Sequence, residues 1–271
     1  MREVSVGSSW CAHGPRDIDP AAKRLHIAFS ILASCSARIL DCHGLDSMNV
    51  TEAVLKRQAI RAFRPDPVSG DVVRSLLETA RHAPSGGNLQ PWRIYVLSGA
   101  PLNAFVAEIA DKLSRNERET PEYDIYPRNL WEPLRSRRSK AGEQRYRALG
   151  IGREANGQAI LEEHNFRFFG APVGLFFCVD RRAGPPQWSD VGMYMQTLML
   201  LATERGLATC PQEVWAYWPK TIRRFLELPD DLMLFAGMSL GYADETSPMN
   251  GYRTSREDLD TFATMIGFDG L

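Results

Sequence analysis

Residues 173–180, Val-Gly-Leu-Phe-Phe-Cys-Val-Asp, form an almost unbroken apolar run. A strand with one face in water alternates apolar and polar residues, so a run of this kind is expected where both faces are covered. The rest of the chain supplies helices to cover them. Ser69 is placed to cap a helix in which Val73, Leu76, Leu77 and Ala80 recur at i, i+3, i+4 and i+7, an amphipathic stripe. That helix must stop near Ala83, ahead of Pro84. Pro101 stands at the first position of another helix, which carries Leu102, Phe105, Val106, Ile109 and Leu113. A third, capped by Ser189 and stopped by Gly206, is apolar nearly all round. It belongs at the centre of a core or in a subunit interface. Shorter helices are expected over 48–57, with Thr51 as N-cap, over 219–226 and over 255–266. Further strands are expected over 93–98, 207–210 and 232–242. Residues 114–169, rich in Arg, Glu, Tyr and Pro, read as irregular helices in a lid-like excursion. Helices and strands mix without strict βαβ alternation, which favours an α+β fold.

The chain has 271 residues, 44% hydrophobic and 24% charged, with a net charge of −1. Nothing in that balance argues for nucleic acid or an anionic membrane as partner. Cys11, Cys35, Cys42, Cys178 and Cys210 form no CxxC pair and no Cys/His ligand spacing, so no metal site is expected. An odd set of thiols without a framework suggests a reducing cytoplasm. No apolar run is long enough to span a bilayer. Residues 1–47 differ in composition from the rest of the chain. Leu32-Ala33-Ser34-Cys35 matches a lipoprotein cleavage box, but the region before it is long and carries acids. The simpler reading is a poorly ordered N-terminal extension over 1–47, ahead of a domain spanning 48–271.

Two stretches carry the chemistry. In Ala83-Pro84-Ser85-Gly86-Gly87-Asn88-Leu89-Gln90-Pro91-Trp92, two prolines bracket two glycines, so the backbone is shaped and can approach a partner closely. The amides of Asn88 and Gln90 can read the edge of a planar heterocycle. Lys56-Arg57-Gln58-Ala59-Ile60-Arg61 is basic, and Arg57 and Arg61 share a face if the helix continues. Two guanidinium forks suit a phosphate. A solvated charged face is the competing reading of the same residues.

Together, Arg-x-x-x-Arg-x-Phe, a helix, and Ala-Pro-Ser-Gly-x-Asn-x-Gln-Pro-Trp closely resemble the start of the FMN-dependent nitroreductase family. Leu240-Gly241-Tyr242 and Pro248-Met249-Asn250-Gly251-Tyr252-Arg253-Thr254 resemble its closing strand and terminal arginine motif. Tyr123 to Pro127, the 168–173 run and the long apolar helix fit its nitrobenzoate-reductase-like branch. The resemblance covers roughly residues 48–268. It implies an α+β homodimer with a central, mostly antiparallel sheet flanked by helices and FMN in two interfacial sites. Carried over by position, Arg57, Gln58, Ala59 and Arg61 would hold the phosphate and ribityl chain, joined by Arg253. Pro84, Ser85, Gly86 and Asn88 would line the flavin from the partner subunit. Pro211, Gln212, Glu213 and Val214 would run beside the ring. Ala59 stands where the family usually has serine, and Val214 where glycine is frequent.

A flavin carries its own redox chemistry, so the protein needs no acid–base dyad. Tyr123, Tyr126 and Phe168 are candidates to stack on an aromatic substrate, with core packing as the competing reading. The resemblance implies an oxidoreductase that takes hydride from NADPH or NADH and reduces nitroaromatic, quinone or similar acceptors by ping-pong turnover. Two alternatives are a reductive dehalogenase or dehydrogenase on the same scaffold, and a flavin-binding protein without reductase turnover.

Overall fold

The computed structural model describes residues 48–150 and 157–268, and the side chains of all of these except 157–160. The N-terminal extension and its cleavage box lie outside the described residues. Four strands, β1 (Arg93–Ser98), β2 (Val173–Asp180), β3 (Ala208–Gln212) and β4 (Leu232–Gly241), form one sheet in the order β1-β2-β4-β3, with every neighbour antiparallel. The apolar run is β2, buried along its length up to Asp180. Its alternation feeds two cores. Val173, Leu175, Phe177 and Val179 face one, and Phe176 and Cys178 face the other.

The described α-helices are α1 (Val50–Lys56), α2 (Gly70–Ala80), α3 (Gly99–Ser114), α4 (Leu134–Ala148), α5 (Gly157–Asn165), α6 (Pro185–Glu204), α7 (Pro219–Phe225) and α8 (Leu259–Phe262). α2 and α6 cover the first face of the sheet, through Val73, Leu76, Tyr194 and Leu198. Phe105 and Ile109 of α3, Ile222 of α7, and Trp215 and Trp218 cover the second. None of these helices is long and apolar enough to cross a membrane.

Several boundaries differ from the sequence expectation. Asn49, not Thr51, caps α1. Its Oδ1 accepts the Glu52 N–H at 3.0 Å, and Glu52 Oε2 accepts the Asn49 N–H at 2.9 Å. This reciprocal pair satisfies two free donors where a single cap satisfies one. α6 begins at Pro185, not after Ser189. Gln187 Oε1 accepts the Gly184 N–H at 3.1 Å, and proline fits the first turn, where its missing N–H costs nothing. α2 stops at Ala80, and Pro101 sits two residues inside α3. α8 has only four residues rather than spanning 255–266. Leu259, Phe262, Met265 and Ile266 are exposed, so no apolar face supports a longer helix within one protomer.

The 114–169 excursion holds α4 and α5. α4 buries no residue in the protomer. Polar contacts at several points along its length fasten the excursion. The Glu119 carboxylate accepts the Lys220 N–H at 2.7 Å and the Thr221 hydroxyl at 2.5 Å, capping α7, and Arg137 pairs with Glu257 at 3.1 Å.

Candidate functional site

Arg57 ends α1 with an extended ψ of 127°, so Arg57 and Arg61 do not share a helix face. An extended segment brings them together instead. Ala59 bridges Thr209 of β3, the Ile60 N–H donates to the Thr209 carbonyl at 3.0 Å, and Phe63 bridges Ala243. Ile60 is buried, while Arg57, Gln58, Ala59 and Arg61 line a cavity of about 320 Å³.

The chain returns to this cavity near its C-terminus. Asn250 Oδ1 accepts the Arg61 N–H at 2.7 Å, and its Nδ2 donates to the Ala62 and Asp244 carbonyls at 2.8 Å each. Asn250 thereby pins the closing motif to the basic segment. Arg253 donates through Nε to Gln58 Oε1 at 3.2 Å, and through its two terminal nitrogens to the Leu55 and Lys56 carbonyls. It both adds charge to the cavity and caps the last turn of α1. Arg256, which sequence reasoning missed, completes the set. Among the described residues no carboxylate lines the cavity. The Arg57 guanidinium is held below its usual pKa, first by burial and then by the charges of Arg256 and Arg253. Repulsion of this kind among convergent guanidinium groups is relieved by an anion.

Arg61 also lines a second cavity, of about 390 Å³, together with Val214, Arg145, Tyr146, Phe166 and Trp218. The structure therefore joins the basic segment to the Glu213–Val214 turn at the end of β3. Glu213 is open to solvent on one side and crowded on the other, and that desolvation raises its carboxyl above the ordinary range. Gln212 behaves differently from its neighbours. It is buried, accepts from Ser239 Oγ at 2.8 Å, and donates to the Asn165 carbonyl and Oδ1 at 2.7 Å each. Its side chain ties β4, β3 and α5 together, which leaves only its backbone for a ligand. Burial pushes the Cys210 thiol up to about 11 against the pull of Arg61 and Arg57, so it stays a neutral core group.

The Pro84–Asn88 loop lines neither of these cavities. Its backbone is strained: Gly87, Asn88 and Gln90 all have φ near +50°, a region the two non-glycine residues occupy at a cost. Ser85 holds the turn by accepting the Gln90 N–H at 3.0 Å. Asp190 of α6, which is buried, accepts the Gly86 N–H at 3.2 Å, and its Oδ2 is buried with no partner among the described residues. Asn88 is left exposed.

The three aromatic candidates part company. Phe168 is fully buried, 4.5 Å from the Trp215 ring, and so packs the core rather than a substrate. The Tyr123 hydroxyl donates to the Phe235 carbonyl, and its ring packs edge-on against Trp188 at 5.3 Å. Tyr126 is exposed and lines a larger cavity beside α4.

A cavity lined by convergent guanidinium groups, sharing Arg61 with a second cavity beside Val214, suits a phosphorylated heterocycle. Comparison with known proteins finds relatives of this chain. A model described as the nitroreductase family matches residues 54–242. A 4-nitrobenzoate reductase of Pseudomonas putida is 41% identical over 217 residues, 80% of this chain and 95% of that protein. A nitrobenzene nitroreductase of Ectopseudomonas oleovorans is 39% identical over 219 residues, 80% of this chain and 96% of that protein. Among solved structures, the FMN and NADPH-dependent nitroreductase NfnB of Sphigopyxis sp. strain HMH superposes with a TM-score of 0.78 at 44% identity, covering 81% of this chain and all of that one. The NfnB of Mycobacterium smegmatis, solved in complex with NADPH, gives a TM-score of 0.75 at 33% identity, covering 80% of this chain and 98% of that one.

Proposed function

Because this chain belongs to the nitroreductase family, we propose that it is an FMN-dependent oxidoreductase that takes electrons from NAD(P)H and reduces nitroaromatic, quinone or similar acceptors. The observation that carries the reading is the convergence of Arg57, Arg253 and Arg256 on a cavity that no carboxylate lines among the described residues, with Arg61 shared between it and the cavity beside Val214. These residues fit FMN. The guanidinium groups would hold its phosphate, and the Arg61 backbone, pinned by Asn250, would fix the entry to the ring site. When bound, FMN supplies the hydride chemistry, accepting electrons from a nicotinamide and passing them to a second molecule.

The chain's own task is to hold that group and shape its surroundings. Val214 narrows the approach along the edge where the family often has glycine, and Ala59 offers no hydroxyl to the phosphate. The second wall is the Pro84–Asn88 loop, delivered by a partner copy in a homodimer with both subunits forming each site. Supporting this, Val50, Val54 and Leu55 of α1 and Leu259, Phe262, Met265, Ile266 and Phe268 near the C-terminus are all exposed on the protomer. The net charge of −1 and the buried free thiols Cys178 and Cys210 suit a cytoplasmic enzyme with no nucleic-acid partner.

The protein as purified is expected to be yellow. Denaturation and chromatography of the released flavin should yield FMN, and anaerobic NADPH or NADH should bleach it. Recovery of FAD, or of no flavin after reconstitution, overturns the reading. A second prediction concerns the loop. Asp190→Ala removes the buried acceptor that fixes the Gly86 N–H, so FMN affinity should fall about tenfold, the effect of one charge-assisted hydrogen bond. Titration of FMN into the apo variant measures it. Unchanged affinity would mean that the loop does not need α6 to hold its shape.

A further inference from the structure

Helix α4 carries Arg135, Arg137, Arg138, Lys140, Arg145 and Arg147 against one acid, Glu143. Arg135, Arg138, Gly142 and Arg145 are spaced by three, four and three residues, which sets them in one stripe along the helix. All four line a cavity of about 1040 Å³, together with Arg61, Arg128, Tyr126 and Trp131. Among the described residues no carboxylate lines it. Arg128 and Arg135 pair with Asp124 and Glu132 outside it, but among the described residues no carboxylate pairs with Arg138 or Arg145. Arg145 Nε is buried with no partner among those residues. Arg61, Arg145 and Tyr146 also line the 390 Å³ cavity beside Val214, so the basic cavity adjoins the site already described.

The cavity exceeds what a nicotinamide or a single nitroaromatic ring needs, since drug-sized ligands fill roughly 300–1,000 Å³. Four aromatic residues, Tyr126, Trp131, Tyr146 and Tyr252, are also in its lining. Trp131 is 58% exposed and Tyr126 46%, and the Arg138 guanidinium lies 4.0 Å from the Tyr126 ring centroid. A purine stacks on exposed aromatic faces, and guanidinium forks take phosphate oxygens in pairs. The stripe spans roughly 15 Å of helix, room for more than one phosphate along an extended ligand.

We propose that the α4 arginine stripe is a nucleotide clamp that holds the phosphorylated adenosine half of NADPH, making this enzyme prefer NADPH to NADH. The inference rests on the reading of the chain as a flavin enzyme reduced by a nicotinamide nucleotide. Arg138, with Arg135, takes the ribose 2′-phosphate that NADH lacks. Arg145 and Arg61 lie at the inner end, toward the flavin site. Trp131 or Tyr126 carries the adenine. A helix that buries no residue of its own protomer is thereby given a ligand to close upon.

The test uses the FMN-loaded protein and the double variant Arg135→Ala/Arg138→Ala. Because α4 contributes nothing to the core, the variant should fold and retain its flavin, which its visible spectrum reports. Calorimetry with 2′,5′-ADP, the isolated adenosine half, should give binding to the wild type that weakens tenfold or more in the variant, while 5′-AMP binds weakly to both. In anaerobic flavin reduction the wild type should prefer NADPH, and the variant's KM for NADPH should rise about tenfold relative to that for NADH. Equal binding of 2′,5′-ADP to wild type and variant overturns the clamp. So does a wild type indifferent between NADPH and NADH, or a variant whose KM rises for 4-nitrobenzoate instead, which would assign the arginines to the acceptor's carboxylate. If neither nucleotide bleaches the flavin, the oxidoreductase reading fails, and the 2′,5′-ADP measurement still decides the clamp.

Discussion

Arg253→Ala is expected to weaken FMN binding on the order of a hundredfold, more than Arg57→Ala, for which about tenfold is expected. Both substitutions remove a guanidinium from the cavity proposed to hold the FMN phosphate. A charge-assisted hydrogen bond contributes roughly 1.5–3 kcal/mol, so one such loss accounts for about ten- to a hundredfold. Arg253 has a second task. Its donors close the α1 carbonyls of Leu55 and Lys56 and hold Gln58 by its amide oxygen. Without it, the last turn of α1 loses its cap and the segment carrying Arg57, Ala59 and Arg61 loses a tether. Arg253→Lys restores the charge but not the fork, so it should recover only part of the affinity. The Arg57 side chain makes no comparable bonds among the described residues, and its removal even relieves repulsion from Arg256 and Arg253 in the cavity without its anion. Titration of FMN into each apo variant measures the order. Reduction of flavin that remains bound should persist in both variants, because the substitutions touch the phosphate and not the ring. An Arg253→Ala protein that binds FMN as well as Arg57→Ala would show that the α1 cap carries no weight in cofactor binding.

Where a physical periodicity exists in the sequence, the fold can be read from it. The strand expected over 93–98 is β1 to the residue, and the unbroken run at 173–180 is β2 between two cores. α4 offers no such handle. Its fifteen residues have no apolar stripe, and what sets its face is charge directed at a cavity rather than burial. Helical spacing would bring Arg57 and Arg61 together on one face. The structure brings them together along the edge of β3 instead, because α1 stops at Lys56. Gln212 shows what adjacency in a motif conceals. Strand alternation turns Cys210 and Gln212 inward and leaves Pro211 outside, a period-two signal that distinguishes Gln212 from its neighbours. Asn250 lies within the closing motif, but its three hydrogen bonds are long-range or irregular, and no local pattern announces them. Arg256 has only its position three residues after Arg253 to recommend it.

Gly237→Ala is expected to destabilise the protein by about 3 kcal/mol, near the upper end of what overpacking a core costs. A Cβ at Gly237 would lie 2.2 Å from Cδ1 of Trp215 and 2.9 Å from its Nε1. Neither side can yield easily. Trp215 is fully buried and packed against Phe168, Phe105, Phe166 and Phe176, with ring centroids 4.5–5.6 Å away. Gly237 sits in the central strand β4, opposite Phe176 of β2 on one side and Gln212 of β3 on the other, so both ladders hold its backbone. For a domain of this size each kcal/mol shifts Tm by about 2–4 °C, so a fall of roughly 10 °C should appear in a thermal scan. Gly70→Ala is the control. It is exposed at the start of α2, no atom lies within 4 Å of its added Cβ, and its Tm should hardly move. The damage should also reach the cofactor. Trp215 directly follows Val214, and the turn from Glu213 to Tyr217 takes its position from the Trp215 seat on the sheet. An indole displaced from that seat shifts the wall of the cavity beside Arg61. Gly237→Ala should therefore lose FMN affinity along with stability, even at temperatures where it remains folded. A variant with unchanged Tm would mean that the sheet accommodates a methyl group against Trp215. One with lowered Tm but full FMN affinity would separate the core beneath the turn from the site above it.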